Sequence, residues 1–227
     1  AGRYGSGYTA KEDGDEVTYC SAGLPDFKTE SGEKLGIPDV LQKKWTKEGR
    51  LSEKTAETKA MLSACGYSTD SATVKQYLVA WLSNWVREYG VDGFRCDTAK
   101  HIEVEHWATL HKICDKRLKE WRAAEKQKAN PDPACNWDED FWMTGECFGH
   151  KAEKSYYYTQ GGFDSMINFE FAPAVNSSNI PSAGSVDSVY SRYANSINND
   201  PDFNVLSYIA SHDTTLAKGD RKYAGSF

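Results

Sequence analysis

Ser71-Ala-Thr-Val-Lys-Gln-Tyr-Leu-Val-Ala-Trp-Leu-Ser-Asn-Trp-Val-Arg-Glu-Tyr-Gly90, running straight into Val91-Asp-Gly-Phe-Arg-Cys-Asp97, is the stretch that decides the fold class. Val74, Tyr77, Leu78, Trp81, Leu82, Trp85, Val86 and Tyr89 recur at steps of three and four, the stripe of an amphipathic helix. That stripe is expected to be core, its Trp and Tyr residues included. Asp70 or Ser71 offers an N-cap and Gly90 a stop. The short run to Asp97 reads as a buried strand.

Outward from this pair the alternation continues. A second helix is expected from Glu103 to Ala129, carrying Val104, Trp107, Leu110, Cys114, Leu118 and Trp121 on one side until Asn130-Pro-Asp-Pro133 breaks it. Phe141–Glu146, Phe163–Phe169 and Val205–Ala210 read as further strands, with a helix over Val186–Ile197. Strands alternating with helices give βαβ units and a parallel sheet, an α/β fold. A (β/α)8 TIM barrel needs eight strands and typically about 250 residues. Only four strands are legible here, all after residue 90, so a barrel would be present in part. Residues 1–70 are rich in Gly, Ser, Lys, Glu and Thr and read as loops with short elements, among them a helix over Leu35–Trp45.

Composition narrows the function. With 33 acidic against 27 basic residues the net charge is −6, which argues against a nucleic-acid binder, since phosphates call for a basic face. No apolar run approaches the roughly 20 residues of a membrane span. The six cysteines stand at irregular spacings without a C-x-x-C pair. Their pairing is open: Cys114 with Cys135 and Cys20 with Cys65 could each close a loop, and free thiols are the plainer alternative. His101, His106 and His111 recur every five residues and so scatter around a helix instead of forming a zinc-binding i, i+4 pair. His106 and His111 are expected at the surface.

Three acids sit where strands run out: Asp97, Glu146 and Asp213. In parallel α/β sheets ligands bind beyond the carboxyl ends of the strands, and acids are rarely buried there unless paired or working. Strand alternation puts Arg95 on the same face as Asp97, where its guanidinium would hold the carboxylate ionised, as a nucleophile requires. The same two residues could equally form a pair that only fixes strand register. Neighbouring strands lie about 4.7–4.9 Å apart. Carboxyls on adjacent strand ends would therefore face each other near the roughly 5–5.5 Å of retaining glycosidases, inverting enzymes needing a wider gap.

These segments resemble the α-amylase family of glycoside hydrolases. Gly93-Phe-Arg-Cys-Asp-Thr-Ala-Lys-His101 is similar to its strand-four motif, Thr144-Gly-Glu146 to its strand-five motif and Ser211-His-Asp213 to its strand-seven motif. From about Leu24 onward the resemblance is to periplasmic members from Gram-negative bacteria, through Leu24–Ser31, Gly145–His150, Phe163–Phe169 and Phe203–Tyr208. It implies that Asp97 is the nucleophile and Glu146 the general acid/base, with Asp213 and His212 gripping sugar hydroxyls. Arg95 would stand beside the nucleophile, and Lys100 and His101 would line leaving-group subsites. It implies cleavage of α-1,4 bonds in α-glucan oligosaccharides or polysaccharides, a periplasmic or extracellular location, and a structural Ca2+ near His101, bound through its backbone carbonyl. No organic cofactor is implied. Phe148 and His150, just beyond Glu146, are placed to line a subsite.

The match has departures. Ser211 stands where most of the family has Asn, and the strand-three Asp-x-x-x-Asn-His pattern is absent, as are recognisable strands one, two and eight. The resemblance therefore implies barrel strands four to seven over residues 71–227, with residues 1–70 as a loop-rich excursion following strand three. The remainder of the barrel would come from a longer parent chain, and this segment alone is expected to be inactive. Two rival functions stand beside hydrolysis of α-1,4 bonds: a transglycosylase or α-1,6 or disaccharide-specific enzyme of the same family, and a non-catalytic sugar- or partner-binding subunit.

Overall fold

The computed structural model describes residues 2–3, 26–171, 183–208 and 211. Two compact units divide the chain: one takes Ala1–Gly93 with Lys100–Phe141, the other Phe94–Ala99 with Trp142–Phe227.

The first unit is helical. A two-residue antiparallel ladder joins β1 (Gly2–Arg3) to β2 (Asp26–Phe27). Helix α1 (Asp39–Lys47) starts directly after Pro38, whose fixed φ and missing N–H suit a helix start. Helix α2 (Leu51–Ala64) falls where only loops and short elements are expected. Its Leu, Ala, Glu, Lys and Met content is strongly helix-forming, but its apolar residues do not gather on one face, so periodicity misses it. It buries Leu62 against Ala72, Tyr77 and Ala80.

Helix α3 (Val74–Tyr89) is capped by Thr73, not by Asp70 or Ser71. The Thr73 side chain accepts from the Gln76 N–H while the Gln76 side chain accepts from the Thr73 N–H, a reciprocal capping box. Gly90 ends it at φ +66°, and a Cβ there would meet the Trp121 ring at 2.5 Å, so both backbone and packing require glycine. Tyr77, Val79, Ala80, Ser83 and Val86 form the buried face. Trp85 and Tyr89 are not on it: they are 57% and 68% exposed, with ring centroids 5.3 Å apart.

Helix α4 (Val104–Glu125) buries Trp107, Leu110, Cys114 and Leu118 as the pattern requires. Its last turn also buries Arg122 and Glu125. Arg122 donates to the Glu139 carbonyl at 2.6 Å and Glu125 accepts from the Asp132 N–H at 3.1 Å, tying the helix end to the following loop. The surface expectation for two histidines fails. The His106 side chain is only 10% exposed and lies 3.5 Å from Glu103, and His111 bonds the Phe141 carbonyl at 2.8 Å. Both point inward from α4 because five-residue spacing carries them towards its flanks instead of its outer face.

The second unit holds a four-stranded sheet in the order β3 (Gly93–Cys96), β4 (Trp142–Gly145), β5 (Ser165–Asn168), β6 (Asn204–Ser207). Pairing is parallel for β4 with β5 and for β5 with β6, with Thr144 opposite Ser165 and Ser165 opposite Asn204. Helices α5 (Tyr156–Thr159) and α6 (Ala183–Ile197) precede β5 and β6 in the chain. Strand β5 is buried throughout. Its one large polar residue, Asn168, donates towards Tyr193 and Ser207 at 3.4 and 3.3 Å, so its amide is not buried without partners. At Gly145 a Cβ would come within 2.6 Å of Met166 Sδ and 2.9 Å of Phe163; β4 lies this close to the core only because that position lacks a side chain.

The five described cysteines, Cys65, Cys96, Cys114, Cys135 and Cys147, form no disulfide, so the Cys114–Cys135 loop closure is not made. Cys20 lies outside the described residues. Among the described residues no helix is long and apolar enough to cross a membrane.

Candidate active site

At the end of β3 exposure alternates: Arg95 is exposed, Cys96 buried, Asp97 exposed. The side chains of Arg95 and Asp97 therefore share a face, and Arg95 Nη1 donates to Asp97 Oδ1 at 2.6 Å. The other arm of the same guanidinium, Nη2, donates to Glu146 Oε2 at 2.8 Å. One cation thus grips two carboxylates from the ends of neighbouring strands. Cys96, between them in sequence, faces the interior, and burial pushes its thiol up to about 12, which leaves it unsuited to act as a nucleophile.

Main-chain bonds lock the two strand ends together. The Glu146 N–H donates to the Cys96 carbonyl at 2.8 Å, and the Glu146 carbonyl accepts from the Ala99 N–H at 2.6 Å. Between these bonds Thr98 has φ +48° and is the one non-glycine residue with positive φ among the described residues. For a β-branched residue that is an outlier, costing on the order of 1–3 kcal/mol. Its N–H points at Glu146 Oε2, 3.5 Å away.

The two carboxyls sit in different surroundings. The Asp97 side chain is 64% exposed and that of Glu146 only 11%. Burial raises the proton affinity of Glu146 above the ordinary carboxyl value. The adjacent Asp97 carboxyl raises it further by hydrogen-bonding the protonated form, while Arg95 and the Thr98 N–H pull the other way. An exposed carboxylate held by a cation beside a buried carboxyl whose proton affinity is raised is an arrangement able to supply a nucleophile and an acid together.

The remaining expected site residues are distributed as follows. Lys100 and His101 lie in a 3-10 turn, Ala99–His101, each half-buried. Phe148 is 74% exposed and packs against Phe169 with centroids 5.2 Å apart; Phe169 in turn meets the Tyr208 ring edge-on at 5.7 Å. Phe169 and Tyr208 each follow directly on a strand end, a placement visible in the sequence once β5 and β6 are drawn. Thr98 had no sequence signal, since a φ value is not written in residue type. His150, expected along a subsite, is buried: its Nε2 bonds Ser155 Oγ at 2.8 Å and its ring packs between Tyr157 and Tyr158. His212 and Asp213 lie outside the described residues. Among the described residues no group of three or more His, Cys, Asp or Glu side chains is arranged to hold a metal ion.

The family model for the alpha-amylase catalytic domain matches residues 53–219. The chain belongs to the alpha-amylase family. Among curated relatives, the periplasmic alpha-amylase of Escherichia coli is 38% identical over 209 residues, covering 91% of this chain and 27% of its own length. An alpha-amylase of Streptomyces lividans is 33% identical over 91 residues, 40% of this chain and 8% of that protein. A cyclomaltodextrinase of a Bacillus species is 31% identical over 108 residues, 48% of this chain and 15% of that protein. The alpha-amylase of Geobacillus thermoleovorans, solved in complex with acarbose, has the same fold at 19% identity, with a TM-score of 0.51 over 92% of this chain and 35% of that one. The chain spans 27% of the length of its E. coli relative. Its parallel sheet and helices are part of the TIM-barrel catalytic domain of this family.

Proposed function

We propose that the protein containing this chain is a retaining glycoside hydrolase that cleaves α-1,4-glucosidic bonds in starch-type glucans or maltooligosaccharides. One observation carries the reading: a single guanidinium bridges Asp97 and Glu146 at adjacent strand ends, with Glu146 buried and Asp97 open. Membership of the alpha-amylase family supports it. In the first step an Asp97 carboxylate oxygen attacks the anomeric carbon while Glu146 gives its proton to the departing glycosidic oxygen. A glycosyl ester on Asp97 and a free sugar hydroxyl result. In the second step Glu146, now ionised, takes a proton from water. The water oxygen attacks the same carbon and Asp97 leaves as carboxylate, so two inversions give net retention.

Arg95 holds Asp97 as the carboxylate that attacks in the first step and stabilises it again as the carboxylate that leaves in the second. Asp213 and His212 are assigned to the sugar hydroxyls, Lys100 and His101 to the leaving-group side, and Phe148 to stacking on a sugar ring. His150 has a supporting role behind that surface. The periplasm or the extracellular space is the proposed location, after the E. coli relative. The resemblance to a cyclomaltodextrinase favours a second reading, in which cyclic or short α-glucans are preferred.

The test uses the full-length protein. Glu146→Gln and Asp97→Asn are each expected to lower kcat on maltoheptaose by at least about 10³-fold, and the first product is expected as the α-anomer by NMR. Near-normal turnover in either variant removes that residue from its role, and a β-anomer refutes the two-step route. Comparison of maltoheptaose, a cyclic maltodextrin and an α-1,6-linked glucan separates the substrate readings.

A further inference from the structure

We infer that Thr98 is a positioning residue for the general acid/base: its left-handed backbone aims the Thr98 N–H at the Glu146 carboxylate. The assignment rests on the catalytic reading of Glu146 given above. Along an extended strand, successive N–H groups point to opposite sides. At the end of β3 they do not. The Thr98 N–H reaches Glu146 Oε2 at 3.5 Å, and the next N–H, that of Ala99, reaches the Glu146 carbonyl oxygen at 2.6 Å. Both donors face one residue because the chain turns through φ +48° at Thr98. The Ala99 N–H holds the Glu146 main chain, and the Thr98 N–H is thereby left directed at the side-chain carboxyl, the group that becomes a carboxylate in mid-reaction.

The strained conformation has a local cause. Asp97 and Arg95 occupy the open face, Cys96 is buried, and the Cys96 carbonyl and Ala99 N–H are both bonded to the Glu146 main chain. With both flanks fixed, Thr98 absorbs the change of direction. A β-branched residue gains nothing intrinsically from this backbone, so strain here marks a geometry that its surroundings impose.

The charged groups of the described residues that face the Glu146 carboxyl are Arg95 on β3 and Asp97 just beyond its end, and the uncharged Thr98 N–H completes the set. Like Arg95, the N–H favours the ionised form, which is the form that must take a proton from water in the second step. A bond of 3.5 Å is long for a neutral carboxyl and is placed to shorten once charge develops on it.

A one-atom change tests the inference. In the full-length protein a backbone ester at residue 98, with the threonine side chain kept, replaces the N–H by oxygen. Expected is a fall in kcat of roughly ten-fold with KM unchanged, and an alkaline limb of kcat/KM moved to higher pH, because loss of the donor disfavours ionised Glu146. A titration of the isotopically labelled Glu146 carboxyl in the same protein should move in the same direction without turnover. A merely structural role would lower the unfolding temperature and leave limb and titration in place, and that result overturns the assignment. Glu146→Gln run alongside separates the two layers. If it abolishes turnover while the ester matches the parent, only the Thr98 role falls; if it retains turnover, the catalytic reading of Glu146 falls with it.

Discussion

Replacing Arg95 by Met keeps most of the side-chain length and removes the charge that two carboxylates share. Two unit charges about 4 Å apart interact by about 1 kcal/mol in water and by about 4 kcal/mol at an effective dielectric of 20. Arg95 is 42% and Asp97 64% exposed, so their contact lies near the aqueous limit, about 1 kcal/mol. Glu146, 11% exposed, lies between the limits, at about 2 kcal/mol. Arg95 lowers the proton affinity of Glu146, so its removal raises it. At about 1.4 kcal/mol per pKa unit, the alkaline limb of kcat/KM should move up by about one to one and a half pH units. Freed from the guanidinium, the two carboxyls also lose their fixed separation, which is expected to lower kcat by about 10²-fold. The assay is maltoheptaose hydrolysis by the full-length protein from pH 5 to pH 9. Arg95→Lys restores the charge but not the two-armed grip, and should recover the limb more fully than the rate. An unmoved or downward-moving limb in Arg95→Met, with a rate within three-fold of the parent, would refute the shared-cation argument.

Three further outcomes can be read by denaturation of the full-length protein. Gly90→Ala places a Cβ at φ +66° and 2.5 Å from the Trp121 ring. Left-handed strain of about 1–2 kcal/mol and overpacking of about 1–3 kcal/mol should together lower stability by about 2–5 kcal/mol in urea titrations, and a loss below about 1 kcal/mol would contradict this packing. Thr73→Ala removes half of the α3 capping box and should cost about 1 kcal/mol, whereas Ser71→Ala should cost far less if Thr73 is the cap. Burial holds His106 and His150 below the ordinary 6.5, so the unfolded chain takes up these protons first. Their contribution is fully present above pH 6.5 and is lost as pH falls through the lower folded values. The urea midpoint should therefore drop between pH 7 and pH 5, and His106→Gln should flatten that slope; an unchanged slope would remove His106 from the effect.

Much of this was legible in the residues because local and tertiary demands agree. The α3 stripe, the Gly90 stop and the strand leading to Asp97 could be read because a helix with one buried face and a strand with alternating exposure each write their period into the chain. Arg95 and Asp97 on one face followed from strand alternation alone. Helix α2 was not legible, since propensity sustains it while its apolar residues lack a common face. Trp85 and Tyr89 continue the α3 stripe in sequence yet stand exposed, because periodicity states which residues share a side and not what lies against that side. His106 and His111 reversed expectation because a polar residue type says little about burial when a carboxylate or a carbonyl stands ready to pair with it. The left-handed turn at Thr98 left no mark in residue type, since its cause is the fixing of both flanks by Glu146.

The guanidinium, both carboxyls and the left-handed residue all fall between Arg95 and Glu146, one β-α-β step of the chain. In the proposed function the reacting pair is thus carried within one contiguous segment of the chain. Recombination elsewhere in a barrel can exchange the loops that choose a substrate without separating acid from nucleophile. Directed evolution of a new specificity should accordingly accumulate its mutations outside residues 95–146 of this strand–helix–strand block, or on the exposed surface of α4 within it.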